Sequence, residues 1–456
     1  MSYSHRLIFI AAHSLGKYDF YPVYQRLVKN QWRPLRELKE EQDKQLRHMI
    51  RYCQENVPYY RDLFKNLGLS PEAVRTAEDL HKLPVLTKDT IKENWDAFKP
   101  VNLDRLRYIE KATGGSTGVP LKYRQSTNDR FLSGVLLYRG WGYGGYALGD
   151  RMVFLAGSSL NIGRKSNLQQ KAHEFTRNIR KLSSFDMGEQ EMRSYAGVLN
   201  AFRPRFIRGY ATSVYLFAQW LEKNEVAIPY PEAVFTTAEK LFPPMRKKIG
   251  QVFNCGVFDT YGLNDGGVGA YECAEHAGLH VDTERSIMEI VDAQGARIEE
   301  GTGEILATSL HNFAMPFLRY RTEDLASVLR ERCPCGRQSV LLKDIIGRES
   351  DFLQTPDGRN VHGAALFNLI FHTLENSPHR DNVNRIQEFQ IVQKKKENLE
   401  ILLVCKSPLP GTVLDFIATS IRQRFPGWDV EFRFREKIDR TPAGKYKFVI
   451  NEIGGR

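Results

Sequence analysis

From about residue 100 to residue 345 the chain alternates short apolar runs with stretches of helical periodicity, and this alternation restricts the fold more than any other feature. Met152–Ala156 and Phe206–Ile207 are apolar runs of strand length, and Val214–Lys223 carries the periodicity of a helix. Farther along, Ile287–Val291 and Glu304–Thr308 alternate as strands do. Strands interleaved with helices bury their apolar faces by layering helix on sheet, so this stretch is read as a large α/β body around mixed sheets. Residues 1–100 form a mainly helical lead-in: Leu35, Leu38, Leu46, Met49, Ile50 and Cys53 recur at three- and four-residue steps over 35–57, and the helix stops before Pro58. After Gly347-Arg348 the pattern changes. Phe389–Val392 and Leu399–Val404 read as a hairpin, Leu414–Arg424 as a helix and Val430–Phe434 as a further strand, a small α+β module. The chain divides on this reading into an N-terminal domain, 1–346, and a mobile C-terminal domain, 347–456.

Composition narrows the function classes. The 456 residues suffice for two or three domains, and 42% hydrophobic with 26% charged residues is globular rather than disordered. A net charge of +11 raises the question of a polyanionic partner. The densest basic clusters, Lys394-Lys395-Lys396 and Arg246-Lys247-Lys248, are too short for a polybasic arm. Solvated faces with a general attraction to polyanions, ATP included, fit better than nucleic acid; peripheral contact with an anionic membrane surface is the alternative. Leu7 to Ala12, behind His5 and Arg6, is shorter than a signal-peptide core and reads as a docking strand or the start of a helix. No run approaches the ~20 apolar residues of a membrane span. Six cysteines in so long a chain make no disulfide framework, which places the protein in the cytoplasm. Oligomeric state is not encoded in any of these features.

The strongest local motif is Thr113-Gly114-Gly115-Ser116-Thr117-Gly118-Val119-Pro120. Closely spaced glycines and hydroxyls let backbone N–H and Oγ groups wrap a polyphosphate without Cβ clashes. The motif lacks the Gly-Lys-Ser/Thr ending of P-loop NTPases, and by itself it reads more readily as a plain surface turn. Four further elements follow it in order: Tyr261-Gly262-Leu263-Asn264-Asp265, Tyr320-Arg321-Thr322-Glu323-Asp324, Gly347-Arg348, and Thr441-Pro442-Ala443-Gly444-Lys445.

These five elements, in this order and at these separations, resemble the adenylate-forming superfamily of acyl-CoA synthetases, luciferases and peptide-synthetase adenylation domains. Pro58-Tyr59-Tyr60-Arg61, Met315-Pro316 ahead of Tyr320-Arg321-Thr322, and Cys333-Pro334-Cys335-Gly336-Arg337 are similar to the branch of phenylacetate–coenzyme A ligases and CapK-like proteins. Thr355-Pro356-Asp357-Gly358-Arg359 leans to the CapK-like side. The resemblance implies that Ser116, Thr117 and the glycines around them clamp the β- and γ-phosphates of ATP. It implies that Ala238 and Glu239 border the adenine, that Tyr261 beside Gly262 packs on its ring, and that Asp324, with Arg348 nearby, accepts the ribose hydroxyls. A carboxylate suits a vicinal diol because it accepts two hydrogen bonds at once. Lys445 is the implied catalytic residue of acyl-AMP formation, with Lys447 as the competing candidate. Two departures stand out. The Mg²⁺-binding carboxylate, Glu in the family, is here Asp265 preceded by Asn264, and the charged hinge residue is Ser350, with the acid one place later at Asp351.

Cysteine usage adds a metal reading. Cys333-Pro334-Cys335 lies downstream of Cys273, His276 and His280, and structural Zn²⁺ sites often draw four ligands from two knuckles. Relatives in the branch carry zinc on a Cys, a His seven residues later and a Cys-x-Cys, which implies Cys273, His280, Cys333 and Cys335 as ligands. Metal-free buried thiols, and His276 in place of His280, are the alternatives. The acid pocket is expected near Tyr210, Phe235 and Gly256–Tyr261, because Gly209-Tyr210 joins a strand to a helix. Three functions remain in view: an acid–CoA ligase; an adenylating ligase that delivers the acyl group to an amine or hydroxyl, for instance on an amino sugar of a surface polysaccharide; and a non-catalytic nucleotide-binding scaffold. Retention of Lys445, Asp324 and the phosphate loop argues against the third.

Overall fold

The chain was described from a computed structural model over residues 3–14, 19–113, 121–157, 167–185, 187–348, 351–441 and 446–453. Among these residues the mixing of strand directions expected for the body lies between sheets rather than within them. Five parallel strands stand in the order Ile179–Ser183, Met152–Ala156, Phe206–Tyr210, Ala233–Thr237 and Gly256–Phe258. Parallel neighbours need crossovers, which Asn167–Arg177, Glu189–Phe202, Ala211–Lys223 and Pro243–Phe253 provide as helices. Seven antiparallel strands form the second sheet, in the order Ser286–Val291, Gly301–Ser309, Tyr320–Leu329, Leu341–Arg348, Leu279–Val281, Gly269–Glu272 and Thr260–Gly262.

The parallel sheet reverses its strand order beside its first strand. The chain runs from Met152–Ala156 to one neighbour, then crosses to Phe206–Tyr210 on the other side. The two crossovers leave in opposite directions there, so a crevice opens between the carboxyl ends of these two strands, the usual ligand position in open α/β sheets. Tyr210 ends the second of them and begins the helix Ala211–Lys223.

The helical lead-in packs against the antiparallel sheet. Leu35–Asn56 buries Leu38, Leu46, Met49, Ile50 and Cys53. All but Leu38 of these join one cluster with Tyr60, Phe98, Phe317 and Tyr320. Pro58 ends that helix and also starts the next, Pro58–Asn66, because proline lacks only an N–H that a first turn leaves unpaired anyway. Leu7 to Ala12 lies in the helix Tyr3–Ser14, so the helix reading holds and the docking strand does not. His13, at the end of that helix, gives Nδ1–H to Phe9 O at 2.8 Å, which leaves Nε2 to accept from Tyr138 Oη at 3.1 Å. Burial lowers its pKa to about 4. The unfolded state therefore binds a proton that the folded state refuses, so this stabilisation is complete above pH 6.5 and is lost as pH falls towards 4. His13→Gln is expected to be less stable than the parent at pH 7, with the gap narrowing by on the order of 1 kcal/mol at pH 5 in urea titrations. A gap that does not change with pH would contradict this assignment.

Beyond residue 351, Ile386–Lys395 and Asn398–Cys405 pair as the expected hairpin, joined in parallel by Val449–Asn451 on one side and Asp429–Phe434 on the other. The helices Gly363–Glu375 and Gly411–Arg424 contribute Leu366, Ile370, Val413 and Ile417 to a core that also holds Phe389 and Trp428. This core continues into the helices of the parallel sheet, where Phe242 and Phe448 meet edge to face at 4.9 Å between ring centres.

Candidate active site

The two sheets meet where Thr260 Oγ1 donates to the Thr236 carbonyl at 2.6 Å. Gly209 pairs with Leu155 across the switch point, and a Cβ there would stand 2.6 Å from the Leu155 carbonyl oxygen, so only glycine lets these strands reach the crevice side by side. On the next strand, Ala238 follows Thr237 with φ +67°, a left-handed turn that a side chain rarely adopts. Glu239 comes next. One of its oxygens accepts the backbone N–H of Thr212 at 3.0 Å, the other that of Tyr446 at 2.7 Å. One carboxylate thus joins the first turn of Ala211–Lys223 to the C-terminal segment. Burial raises its pKa, and the two N–H bonds act against that rise.

Asp324, Tyr261 and Arg348 meet on the antiparallel sheet. Asp324 and Arg348 are register partners on neighbouring strands, and Arg348 Nε reaches Asp324 Oδ1 at 3.1 Å. Tyr261 Oη donates to Asp324 Oδ2 at 2.7 Å. Burial and the adjacent carboxylate push the tyrosine pKa well up, so the hydroxyl stays a donor. Each carboxylate oxygen has a second lone pair, which leaves Asp324 able to accept from two further hydroxyls. Asp265 lies buried next to Tyr320, whose hydroxyl donates to Asp265 Oδ2 at 2.9 Å; burial raises this acid's pKa and Tyr320 works against the rise. Gly262 sits beside Tyr261 with open space where a Cβ would stand. Asp351 accepts the Arg348 N–H at 2.9 Å.

Thr113 is bonded to Leu121 twice: its N–H donates to the Leu121 carbonyl at 2.9 Å and its Oγ1 accepts the Leu121 N–H at 3.0 Å. Gly114, Gly115, Ser116, Thr117 and Gly118 lie outside the described residues, as do Ser350 and Lys445. Lys111, two residues before Thr113, has its pKa lowered to about 8 by burial and by Arg130 and Arg285, and it feels the charge of Asp265.

The four predicted metal ligands come together. Cys273 Sγ, His280 Nε2, Cys333 Sγ and Cys335 Sγ lie within 4.8 Å of one another. Cys273 and Cys333 are 3.6 Å apart at sulfur, too far for a disulfide and close to the edge of a tetrahedron around Zn²⁺ with ~2.3 Å bonds. Cys335 Sγ stands 3.4 Å from His280 Nε2, while His280 Nδ1 is held by Ser339 Oγ at 3.2 Å, the outer contact that orients a metal-binding imidazole. Burial, aided by Arg337 and Arg139, lowers the His280 pKa to about 4, which keeps the ring neutral. His276 turns instead to Glu272 at 3.1 Å and to Arg246, so geometry removes it as the alternative ligand. The donor set and its size fit a tetrahedral soft-metal site.

Comparisons with known proteins bear on the fold and the family. The model of the CapK C-terminal domain matches residues 353–452. Protein CapK of Staphylococcus aureus is 26% identical over 447 residues, covering 94% of this chain and 94% of its own length. The phenylacetate-coenzyme A ligase of Thermus thermophilus is 26% identical over 390 residues, covering 80% of each chain. Among solved structures, 2-hydroxyisobutyryl-CoA ligase in its postadenylation state, complexed with an acyl-AMP, superposes with a TM-score of 0.74 at 17% identity over 92% of this chain and 91% of its own.

Along most of its length this chain is similar to CapK and to phenylacetate–CoA ligases, which supports a place in the adenylate-forming superfamily.

Within that superfamily the arrangement of the two ends of the chain carries information. The same ligase in its thioesterification state superposes with a TM-score of only 0.58 over the same 92% of this chain, so the fold is nearer to the postadenylation form. In this chain Glu239 accepts the Tyr446 N–H, which joins the two ends. Three polar partners of the site were not anticipated from sequence: Thr212, Tyr320 as a donor to Asp265, and Tyr446 as a donor to Glu239. Tyr446 follows Lys445 directly, which was the available signal; a backbone N–H such as that of Thr212 leaves none.

Proposed function

We propose that this adenylate-forming enzyme activates a carboxylic acid with ATP and passes the acyl group to the thiol of CoA. A carboxylate oxygen attacks the α-phosphorus, pyrophosphate leaves, and the thiolate then displaces AMP from the acyl carbon. The observation that carries the reading is the Asp324 carboxylate, held by Tyr261 and Arg348 with lone pairs to spare. Asp324 accepts the ribose hydroxyls, the face of Tyr261 packs on the adenine, and Ala238 and Glu239 border it. Thr113, Ser116, Thr117 and the neighbouring glycines take the phosphates, and Lys445 bridges carboxylate and α-phosphate. Asp265 would hold Mg²⁺ through the oxygen that Tyr320 leaves open, and the ion would neutralise phosphate charge. Cys273, His280, Cys333 and Cys335 would hold a structural Zn²⁺ that ties the turn after Glu272 to the loop ahead of Leu341.

We place the domain boundary near Gly347, with Ser350 and Asp351 as the hinge about which 347–456 rotates between half-reactions. The CapK C-terminal domain match, which begins at residue 353, supports this division, and the absence of any described helix long and apolar enough to cross a membrane is compatible with a cytoplasmic enzyme. A second reading, transfer to an amine or hydroxyl of a surface-polysaccharide precursor, is favoured by the CapK relative's 94% coverage and by Ser350 at the hinge. AMP release separates the two. With a CoA acceptor, micromolar CoA is expected to raise turnover steeply and to yield acyl-CoA by mass spectrometry. AMP release that stays at its background rate with CoA would decide for the second reading.

A further inference from the structure

The four arginines buried among the described residues all have carboxylate partners. Arg124 pairs with Glu110, Arg139 with Asp282 and Glu284, Arg285 with Asp129, and Arg319 with Glu289. Arg208 has none within ion-pair distance among the described residues. Its Nε is buried without a hydrogen-bond partner, while the residue as a whole keeps partial exposure. The guanidinium lies against Trp141 and Phe154 at 5.4 and 5.6 Å from the ring centres. The other polar groups near enough to feel its charge are the hydroxyls of Tyr271, Tyr210 and Tyr138. Desolvation by burial lowers its pKa, and those hydroxyls only partly oppose this. A guanidinium nonetheless stays charged at neutral pH.

Position gives the unpaired cation a meaning. Across the parallel sheet Phe154, Arg208, Phe235 and Phe258 are register partners, an aromatic row interrupted by one charge. Arg208 also precedes Tyr210 by two residues on the same strand, so both face the same side at the carboxyl end next to the switch point. Ring contacts offset only part of the cost of desolvating a guanidinium, so a charge kept here calls for an anion that the chain itself does not supply.

We infer that Arg208 is a specificity residue and that the acid activated by this enzyme carries a second carboxylate, which the Arg208 guanidinium binds at the far end of the acyl pocket from the reacting one. This rests on the adenylation reading above and adds the substrate class to it. A planar fork binds a carboxylate through two parallel hydrogen bonds, and a site shaped for that contact discriminates strongly against acids that leave it unpaired.

The test is ATP–pyrophosphate exchange with matched acids: butyrate against succinate, hexanoate against adipate, and phenylacetate against 4-carboxyphenylacetate. The wild-type enzyme is expected to favour the dicarboxylate of at least one pair by on the order of 10²-fold in kcat/KM. Arg208→Met should abolish that preference through KM, leave exchange with the monocarboxylate near its original rate, and not lower the melting temperature. Arg208→Lys should restore part of the preference. Exchange with monocarboxylates and no gain from a second carboxylate in any pair would overturn this inference and leave adenylation standing. Equal loss on both members of each pair in Arg208→Met would also overturn it, by assigning Arg208 to the reacting carboxylate or to the fold. Failure of every acid to support exchange would overturn both readings together.

Discussion

Lys445→Ala is expected to lower ATP–pyrophosphate exchange on the order of 10²–10³-fold while ATP binding changes little. Attack of a carboxylate on the α-phosphorus brings two anions together, and the charge that builds on the non-bridging oxygens needs a cation that arrives with the closed state. Lysine suits this task because its ammonium is a compact charge on a flexible stem, carried here on a segment with glycine beside it at Gly444. The proposed nucleotide contacts, Asp324 and Tyr261 above all, lie on the antiparallel sheet and do not depend on this side chain. Binding and chemistry should therefore separate: equilibrium dialysis with ATP would give a near-normal Kd for a variant whose exchange is almost gone. Normal exchange in Lys445→Ala would transfer the role to Lys447, two residues later in the chain.

Cys335→Ser is expected to reduce bound zinc from about one per chain to near zero and to lower the melting temperature by roughly 5–10 °C. The four donors come from three separate places on the antiparallel sheet: the turn after Gly269–Glu272, the strand Leu279–Val281, and the loop between Tyr320–Leu329 and Leu341–Arg348. An ion held by all three removes freedom that the unfolded chain would otherwise regain. Elemental analysis of the purified protein with and without the substitution, together with a thermal scan, checks both halves. Protein that carries no metal and melts at the same temperature as the variant would reduce the cluster to ordinary core thiols.

The C-terminal elements show how far pattern reading reaches. Phe389–Val392 and Leu399–Val404 were expected as a hairpin and pair as one, each strand extending a few residues farther because ladder bonds continue past the apolar core of a strand. The helix Gly363–Glu375 carries its own apolar signal in Leu366, Leu369, Ile370 and Phe371. Pro58 was read as a stop and is equally a start, since its missing N–H costs a first turn nothing.

By itself the sequence determined the α/β class and singled out Tyr261, Asp324 and Arg348, which the fold brings together, because these depend on local periodicity or on short runs such as Tyr320-Arg321-Thr322-Glu323-Asp324 whose chemistry is visible in one dimension. Only the tertiary structure decided His280 over His276, since both histidines follow Cys273 closely and what separates them is that Leu279–Val281 pairs with Leu341–Arg348 while His276 turns towards Glu272. Likewise, only the fold joins Glu239 to both Thr212 and Tyr446, residues far apart in the chain whose backbone N–H groups leave no mark in a sequence. The same holds for Arg208. An arginine on a strand looks like any solvated charge until the register places Phe154 and Phe235 on either side of it, because whether a charge has a partner depends on three-dimensional neighbours and not on its own position in the chain.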